Sequence, residues 1–260
     1  MLLENKVALI TGASGGLGRA QALEYAREGA SLIINDVKAD ELEETRQMIE
    51  DLGSDVISVV ADISKKDEVQ NMISQALDKF ERVDVCVNNA AVLVDFKALG
   101  EITEEEWDRV MGVNLKGAYL IIHELLPHMI KQGNGTFINF SSASTFLSGC
   151  GDAAYMASKS AINGITKQLA YDYGQDGIRA VAIAPGLTAT AMVNYAIEQR
   201  HPQAIRQVNN IPDGKIGTTE NVAYVSAFLA SDKAGSINGD VVKVDRGKTT
   251  GVQAKWVEID

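Results

Sequence analysis

The sequence predicts an α/β protein: a single doubly wound domain built on one seven-stranded parallel sheet with helices on both faces. Three observations lead there. Short β-branched runs alternate with longer stretches of helical periodicity along the 260 residues, the pattern of βαβ units. The runs are apolar throughout rather than alternating, as strands covered on both faces are. No internal repeat, low-complexity tract or Pro/Gly/Ser-rich linker divides the chain, and its length suits one α/β unit with one large core.

The strand candidates, in order, are "VALIT" (7–11), "SLIIN" (31–35), "VISVV" (56–60), "VDVCV" (83–87), "TFINF" (136–140), "RAVAIA" (179–184) and "DVVKV" (240–244). Between the early strands, "GLGRAQALEYAREG", "ADELEETRQMIEDLG" and "KKDEVQNMISQALDKF" place apolar residues near helical spacing, with glycine closing two of them. "TEEEWDRV" (103–110) starts a helix, with Thr103 as cap, Glu106 three residues on and Trp107 turned inward. Two longer helices are expected over roughly 104–131 and 153–175. The least regular stretch is 187–217, "LTATAMVNYAIEQRHPQAIRQVNNIPDGKIG", which follows a strand and is a candidate lid.

Composition narrows the function classes. An apolar fraction of 46% with no run approaching the length of a membrane span argues against a membrane protein. Glu4 and Lys6 interrupt the apolar start, so the N-terminus lacks a secretory signal. Cys86 and Cys150 are too few for a disulfide framework, and the expected location is cytoplasmic. A formal net charge of −11 disfavours nucleic acid, anionic membrane or a strongly acidic protein as partner. No metal site is expected: His123 and His128 stand five apart and share no helix face. His201 is expected at a solvated position in the lid. Cys150 has no histidine nearby in sequence to activate it.

"VALITGASGGLGRA" sets Gly12, Gly16 and Gly18 between the first strand and the first helix. Small residues there let the backbone approach a pyrophosphate, and the helix N-terminus supplies N–H groups and a favourable dipole. The spacing is Thr-Gly-x-x-x-Gly-x-Gly rather than Gly-x-Gly-x-x-Gly. Asp36 ends the second strand 18 residues past Gly18, where a ribose-binding acid belongs in a Rossmann-type fold. Its carboxylate accepts from the ribose 2′- and 3′-hydroxyls and repels a 2′-phosphate, which favours NAD over NADP. Gly15 and Ser14 bring no compensating cation, and Lys38 is the one nearby in sequence.

"AYMASKSA" (154–161) adds Tyr155 four positions before Lys159, a short motif that is weak by itself. With the glycine turn, Asp36 and this pair together, the sequence resembles the short-chain dehydrogenase/reductase family from Lys6 to about Gly247. Further support comes from "VADIS" with Asp62, "NNAA" (88–91), "VNLKG" with Asn114, "INFSS" with Ser142 and "APGLTAT" (184–190). The resemblance implies a catalytic tetrad of Asn114, Ser142, Tyr155 and Lys159. It also implies cofactor contacts from Gly12, Ser14, Gly16, Leu17, Gly18, Asp36, Asp62, Ile63, Asn89, Ala90, Pro185, Gly186, Thr188 and Thr190, besides Tyr155 and Lys159. Asp62 and the Ile63 backbone would hold the adenine, Asn89 would steady the strand end beneath the cofactor, and Thr190 with the Pro185-Gly186 turn would meet the nicotinamide end. Two positions depart from the family: Ala91 and Arg246 stand where glycine is usual. A dimer or tetramer joined through the long helices is the implied assembly.

Hydride transfer between a carbinol carbon and a nicotinamide requires proton movement at the oxygen, and Tyr155 is the candidate acid/base. Poising a phenol near neutrality takes a lowering of its pKa by roughly 3, or about 4 kcal/mol. A lysine charge on the same helix face about 4 Å away supplies on the order of 4 kcal/mol at an effective dielectric near 20. Ser142 would stabilise charge on the substrate oxygen, and Asn114 would anchor a water linking Lys159 to solvent. The surrounding loops, 92–102, 144–152 and the lid start, offer Val94, Phe96, Phe146, Leu147, Met192, Val193 and Tyr195. A small, fairly apolar secondary alcohol or ketone, such as a hydroxysteroid, is therefore the expected substrate. The alternatives are a 3-oxoacyl-carrier-protein reductase, an isomerase or dehydratase that oxidises transiently, and a non-catalytic sensor of NAD. Asp36 and the scarcity of exposed arginine weigh against the first, and the intact tetrad against the last.

Overall fold

All seven apolar runs form strands, with ends shifted by no more than two residues: β1 (Val7–Thr11), β2 (Ser31–Asp36), β3 (Val56–Val60), β4 (Val85–Asn88), β5 (Gly135–Phe140), β6 (Ile178–Pro185) and β7 (Val241–Val244). They are seen in a computed structural model that describes residues 1–94, 97–149 and 151–251, apart from the side chains at 191, 192, 196 and 203. Every pairing is parallel and the order is β3-β2-β1-β4-β5-β6-β7.

The two faces of β1 show why these runs lack alternation. Ala8 and Ile10 enter a core with Ala22 and Tyr25 of α1 (Gly16–Arg27) and Leu229 of α9 (Thr219–Ala230). Val7 and Leu9 enter the opposite core with Met72 of α3 (Lys66–Phe80) and Leu125 of α5 (Ala118–Gln132). Strands buried on both sides need apolar residues at every position. The helix α2 (Ala39–Asp51) covers the β2–β3 end of the sheet.

The expected helix over 104–131 runs without a gap but widens midway. It divides into α4 (Glu104–Met111), a π-helical turn at Gly112–Gly117, and α5. Thr103 caps α4 as read: its Oγ1 accepts from Glu106 N at 3.2 Å and its own N–H donates to Glu106 Oε2 at 3.0 Å. Trp107 is half-buried against Val110 and Val94. The wider turn carries Asn114, and such turns commonly mark functional sites. The other long helix, α6 (Ala153–Tyr173), runs unbroken. The 187–217 stretch is more regular than expected, holding α7 (Ala191–Glu198) and α8 (Pro202–Asn209). Thr190 caps the first of these and Pro202 opens the second, where a missing N–H costs nothing.

Strand order reverses at β1 and β4, which lie side by side. The crevice outside their C-terminal ends is where open α/β sheets bind ligands. Both the glycine turn after β1 and Asn89 after β4 stand at that crevice.

Candidate active site

The glycine turn is built by backbone needs that side chains cannot meet. Gly12 and Gly16 have φ of +71° and +51°, in the left-handed region. A Cβ at Gly18 would lie 2.0 Å from the Gly12 carbonyl oxygen, so helix and turn touch there. No side chain caps α1, and Gly15 at its cap position has no atom within 4 Å of a would-be Cβ. Uncapped N–H groups, a helix dipole and open space in front of them fit a dinucleotide pyrophosphate. Ser14 and Leu17 belong to the same turn, and the Leu17 carbonyl accepts from Gln21 Nε2 at 3.1 Å.

Asn89 fastens β4 to this turn, donating from Nδ2 to the carbonyls of Thr11 at 2.9 Å and Gly12 at 3.3 Å. Thr11 Oγ1 accepts from the N–H groups of Asn89 and Ala90 at 3.2 and 3.1 Å. Behind Asn89 runs a buried relay: its Oδ1 accepts from Gln21 Nε2 at 3.1 Å, Gln21 Oε1 accepts from Ser226 Oγ at 3.0 Å, and Ser226 Oγ bonds Tyr25 OH at 2.9 Å. Gln21, Tyr25 and Ser226 are each fully buried. Burial without loss of hydrogen bonding makes such a network rigid.

At the end of β2, Asp36 Oδ2 accepts from Ser14 N at 3.1 Å, and Oδ1 accepts from Val37 N at 2.8 Å and Lys38 N at 3.2 Å. Lys38 is not the only cation here. Arg19, one helical turn past Gly15, donates to the Ser14 carbonyl at 2.6 Å, to the Glu41 carbonyl at 2.9 Å and to Thr45 Oγ1 at 2.8 Å. Its guanidinium is held by the turn and α2, and Glu44 lies 3.1 Å away. Asp62 Oδ1 accepts from Ser64 N at 3.0 Å and Ser64 Oγ at 2.7 Å, and buried Ile63 packs against Gly117.

The four tetrad positions come together between β4, β5 and α6. Ser142, extended and buried just past β5, accepts at Oγ from Ser144 N at 3.2 Å, and its hydroxyl acts to lower the pKa of the Tyr155 phenol. Lys159 is 3% exposed, and its Nζ donates to the Phe140 carbonyl at 2.7 Å and lies 5.8 Å from the Tyr155 ring centroid. Burial lowers its pKa to about 8. The Tyr155 phenol moves upward, chiefly through burial, with the Ser142 hydrogen bond opposing and the Asp152 carboxylate adding to the rise. That is opposite to the lowering expected from the sequence. Lys159 spends its strongest contact on a carbonyl rather than on the phenol, and desolvation disfavours the charges of both groups.

Asn114 is buried, and its Oδ1 accepts from Val92 N at 2.8 Å while Nδ2 donates to Val92 O at 2.9 Å and Ser158 Oγ at 3.1 Å. The side chain thereby clamps the 92–94 loop. Asp152, which sequence reading passed over, caps α6 through Tyr155 N at 2.8 Å and holds Val94 N at 2.9 Å. Its signal was present as an N-cap aspartate three residues before the tyrosine.

The 187–217 stretch begins over the turn. A Cβ at Gly16 would lie 3.4 Å from Thr190 Cγ2, so the two ends of the proposed cofactor cradle meet. Gly186 follows Pro185 at the end of β6 and abuts Asp245, and buried Thr188 donates to the Gly186 carbonyl at 3.1 Å. Arg246 has φ of +54°, which is why glycine suits this position, and its guanidinium pairs with Asp213 at the foot of the lid. The pair holds the Asp213 carboxyl down at about 2. Ala91 has no positive φ and is exposed, so its methyl group is accommodated. Of the apolar pocket candidates, Val94 is buried, Leu147 and Val193 are half-buried, and Phe146 and Tyr195 are exposed. Phe96, Cys150 and the Met192 side chain lie outside the described residues. His123 and His128 are exposed, with His123 stacked on Tyr119. Among the described residues no cluster of His, Cys, Asp and Glu fits a metal, and no helix is long and apolar enough to cross a membrane.

Residues 12–249 match the family model described as enoyl-(acyl carrier protein) reductase. The chain belongs to the short-chain dehydrogenase/reductase family. This family member is 37% identical over 247 residues to the 3-oxoacyl-(acyl-carrier-protein) reductase FabG of Thermotoga maritima, covering 95% of this chain and 99% of that one. Among solved structures it resembles levodione reductase, at 33% identity and a TM-score of 0.91 over 96% of this chain and 99% of the other. It also resembles a putative NAD(P)-dependent gluconate 5-dehydrogenase from Beutenbergia cavernae solved with bound NADP, at 34% identity and a TM-score of 0.88 over 96% and 98% of the two chains. The short-chain dehydrogenase/reductase described here is thus an oxidoreductase of the kind that acts on alcohol or keto groups with a nicotinamide cofactor.

Proposed function

We propose that the protein interconverts a secondary alcohol and a ketone with NAD(H), using Tyr155 as the acid/base. The observation that carries this reading is buried Lys159 one helical turn from Tyr155, its Nζ 5.8 Å from the phenol ring centroid, with buried Ser142 just past β5. Bound nicotinamide supplies the hydride acceptor or donor and, when oxidised, a positive charge. Ser142 Oγ and Tyr155 OH hold the substrate oxygen; Tyr155 takes its proton on oxidation and returns one on reduction. Lys159, held by the Phe140 carbonyl, keeps a positive charge near the phenol, and Asn114 holds the 92–94 loop beside it.

Asp36 supports NAD, because its carboxylate lies against Ser14, where a 2′-phosphate would have to sit. The NADP bound to the gluconate dehydrogenase relative makes this the point to test. Identity to FabG favours a second substrate reading, a 3-oxoacyl thioester, over the hydroxysteroid suggested by the apolar loops. A cytoplasmic homo-oligomer is the accompanying proposal, supported by Tyr119 on α5 and Tyr171 on α6, which are 51% and 86% exposed. The test is nicotinamide absorbance across ketones, secondary alcohols, steroids and 3-oxoacyl thioesters, with both cofactors, for wild type and Tyr155→Phe. NAD(H)-linked turnover that the variant loses while still binding cofactor is the expected result. Undiminished turnover in the variant would remove Tyr155 from the role, and preference for NADP(H) would overturn the reading of Asp36.

A further inference from the structure

Asp152 is a buried carboxylate to which the hydride chemistry gives no part. It is 2% exposed. One oxygen accepts from Tyr155 N at 2.8 Å and the other from Val94 N at 2.9 Å, 58 residues away in the chain. Serine, threonine or asparagine would cap α6 equally well and bring no charge. Only a carboxylate accepts at both oxygens; an asparagine would turn its NH₂ toward one of the two N–H groups. The loop it holds is the one Asn114 clamps at Val92, so two buried side chains fix the same segment two residues apart.

We propose that Asp152 is a positioning residue of the reaction, a single carboxylate that fastens the 92–94 loop to the catalytic helix and sets the charge beside the Tyr155 phenol. This rests on the reading of Tyr155 as acid/base. The other charged groups around it, among the described residues, are Lys159 on the same helix, Arg109 of α4, whose guanidinium donates to the Leu93 carbonyl at 3.3 Å, and the Lys97–Glu106 pair where α4 begins. Ser142, just past β5, is the hydroxyl that acts on the phenol. Lys159 is bound to the Phe140 carbonyl, and the Asp152 charge acts on Tyr155 in the direction that retains the proton. A protonated phenol is the form that gives a proton to a nascent alkoxide, and the carboxylate opposes loss of that proton.

The test is an ultraviolet titration of tyrosinate in the protein without cofactor, taking the difference between chains with and without Tyr155→Phe, in wild type, Asp152→Asn and Asp152→Ser. Serine retains the cap while removing both the charge and the Val94 bond. In both variants Tyr155 is expected to ionise at a lower pH than in wild type. The rising limb of the oxidation pH profile should move down in the same direction, and the substrate KM should rise several-fold. An unmoved titration and limb, with activity lowered equally at every pH, would overturn the proposal and leave Asp152 a helix cap. Turnover surviving Tyr155→Phe would instead remove the acid/base reading, while the titration, which needs no turnover, would still decide the effect of Asp152.

Discussion

Replacing Gly18 with alanine should damage the protein before any cofactor is added. The new Cβ would stand 2.0 Å from the Gly12 carbonyl oxygen, 2.6 Å from its carbon and 2.8 Å from Asn89 Nδ2. Only the last atom belongs to a side chain, and it is tied to the Thr11 and Gly12 carbonyls. Real Cβ contacts essentially never fall below 3.0 Å, so turn and helix must part by about 1 Å. Overpacking typically costs ~1–3 kcal/mol, and a backbone obstacle puts this case at the upper end, about 3 kcal/mol. At ~2–4 °C per kcal/mol for a chain of this size, Tm should fall by roughly 6–12 °C. Gly15→Ala is the control. Its φ is −174° and no atom lies within 4 Å of the added carbon, so stability should change by less than ~0.5 kcal/mol. The same methyl group faces the space assigned to the pyrophosphate, so NAD affinity by titration calorimetry should still drop. A Gly18→Ala protein melting within about 2 °C of wild type would refute the reasoning, as would equal damage from both variants without cofactor.

Two further outcomes follow from the charged groups. Burial brings Lys159 from 10.5 down to about 8, so its protonated form burdens the folded state at every pH below 8. That burden fades as pH rises from about 8 toward 10.5, where the unfolded chain loses the proton too. Wild type should therefore gain about 3 kcal/mol relative to an inactive Lys159→Met variant between pH ~7 and ~10.5, measured by urea unfolding; a pH-independent difference would contradict the burial argument. Arg246 adopts the left-handed conformation that glycine takes freely, with its ion pair to Asp213 in partial compensation. Arg246→Gly should melt at or above the wild-type temperature and Asp213→Asn below it; an Arg246→Gly protein melting below wild type would show that the pair outweighs the backbone strain.

The fold was legible because burial on both faces writes itself into composition: "VALIT" and "TFINF" need no partner to be read as strands. Thr103 and Glu106 likewise carry their helix start within four residues. What escaped the sequence depends on distant partners. The π turn at Gly112–Gly117 comes where Asn114 reaches back to Val92, and nothing local in "VNLKG" marks it. Asp152 gains its second role from Val94, and Lys159 its strongest bond from Phe140, so the direction of the Tyr155 shift could not be read from a four-residue spacing. Arg19 was hidden in a different way. It lies close to Ser14 in sequence, but α2 is needed to show that its guanidinium turns back toward the turn.

The buried relay from Ser226 through Gln21 to Asn89 has a consequence for how the protein is made. Ser226 and Gln21 are separated by 205 residues. At ~5–20 residues per second, a ribosome needs roughly 10–40 s to deliver one after the other. During that interval the sheet from β1 to β5 can assemble, but the α1 surface that receives α9 stays uncovered, with Ala22, Tyr25 and Ala26 among its apolar residues. The nascent chain thus carries a glycine turn whose support has not yet been synthesised. The hydrogen-bonded chain behind Asn89 closes late in translation, when α9 docks.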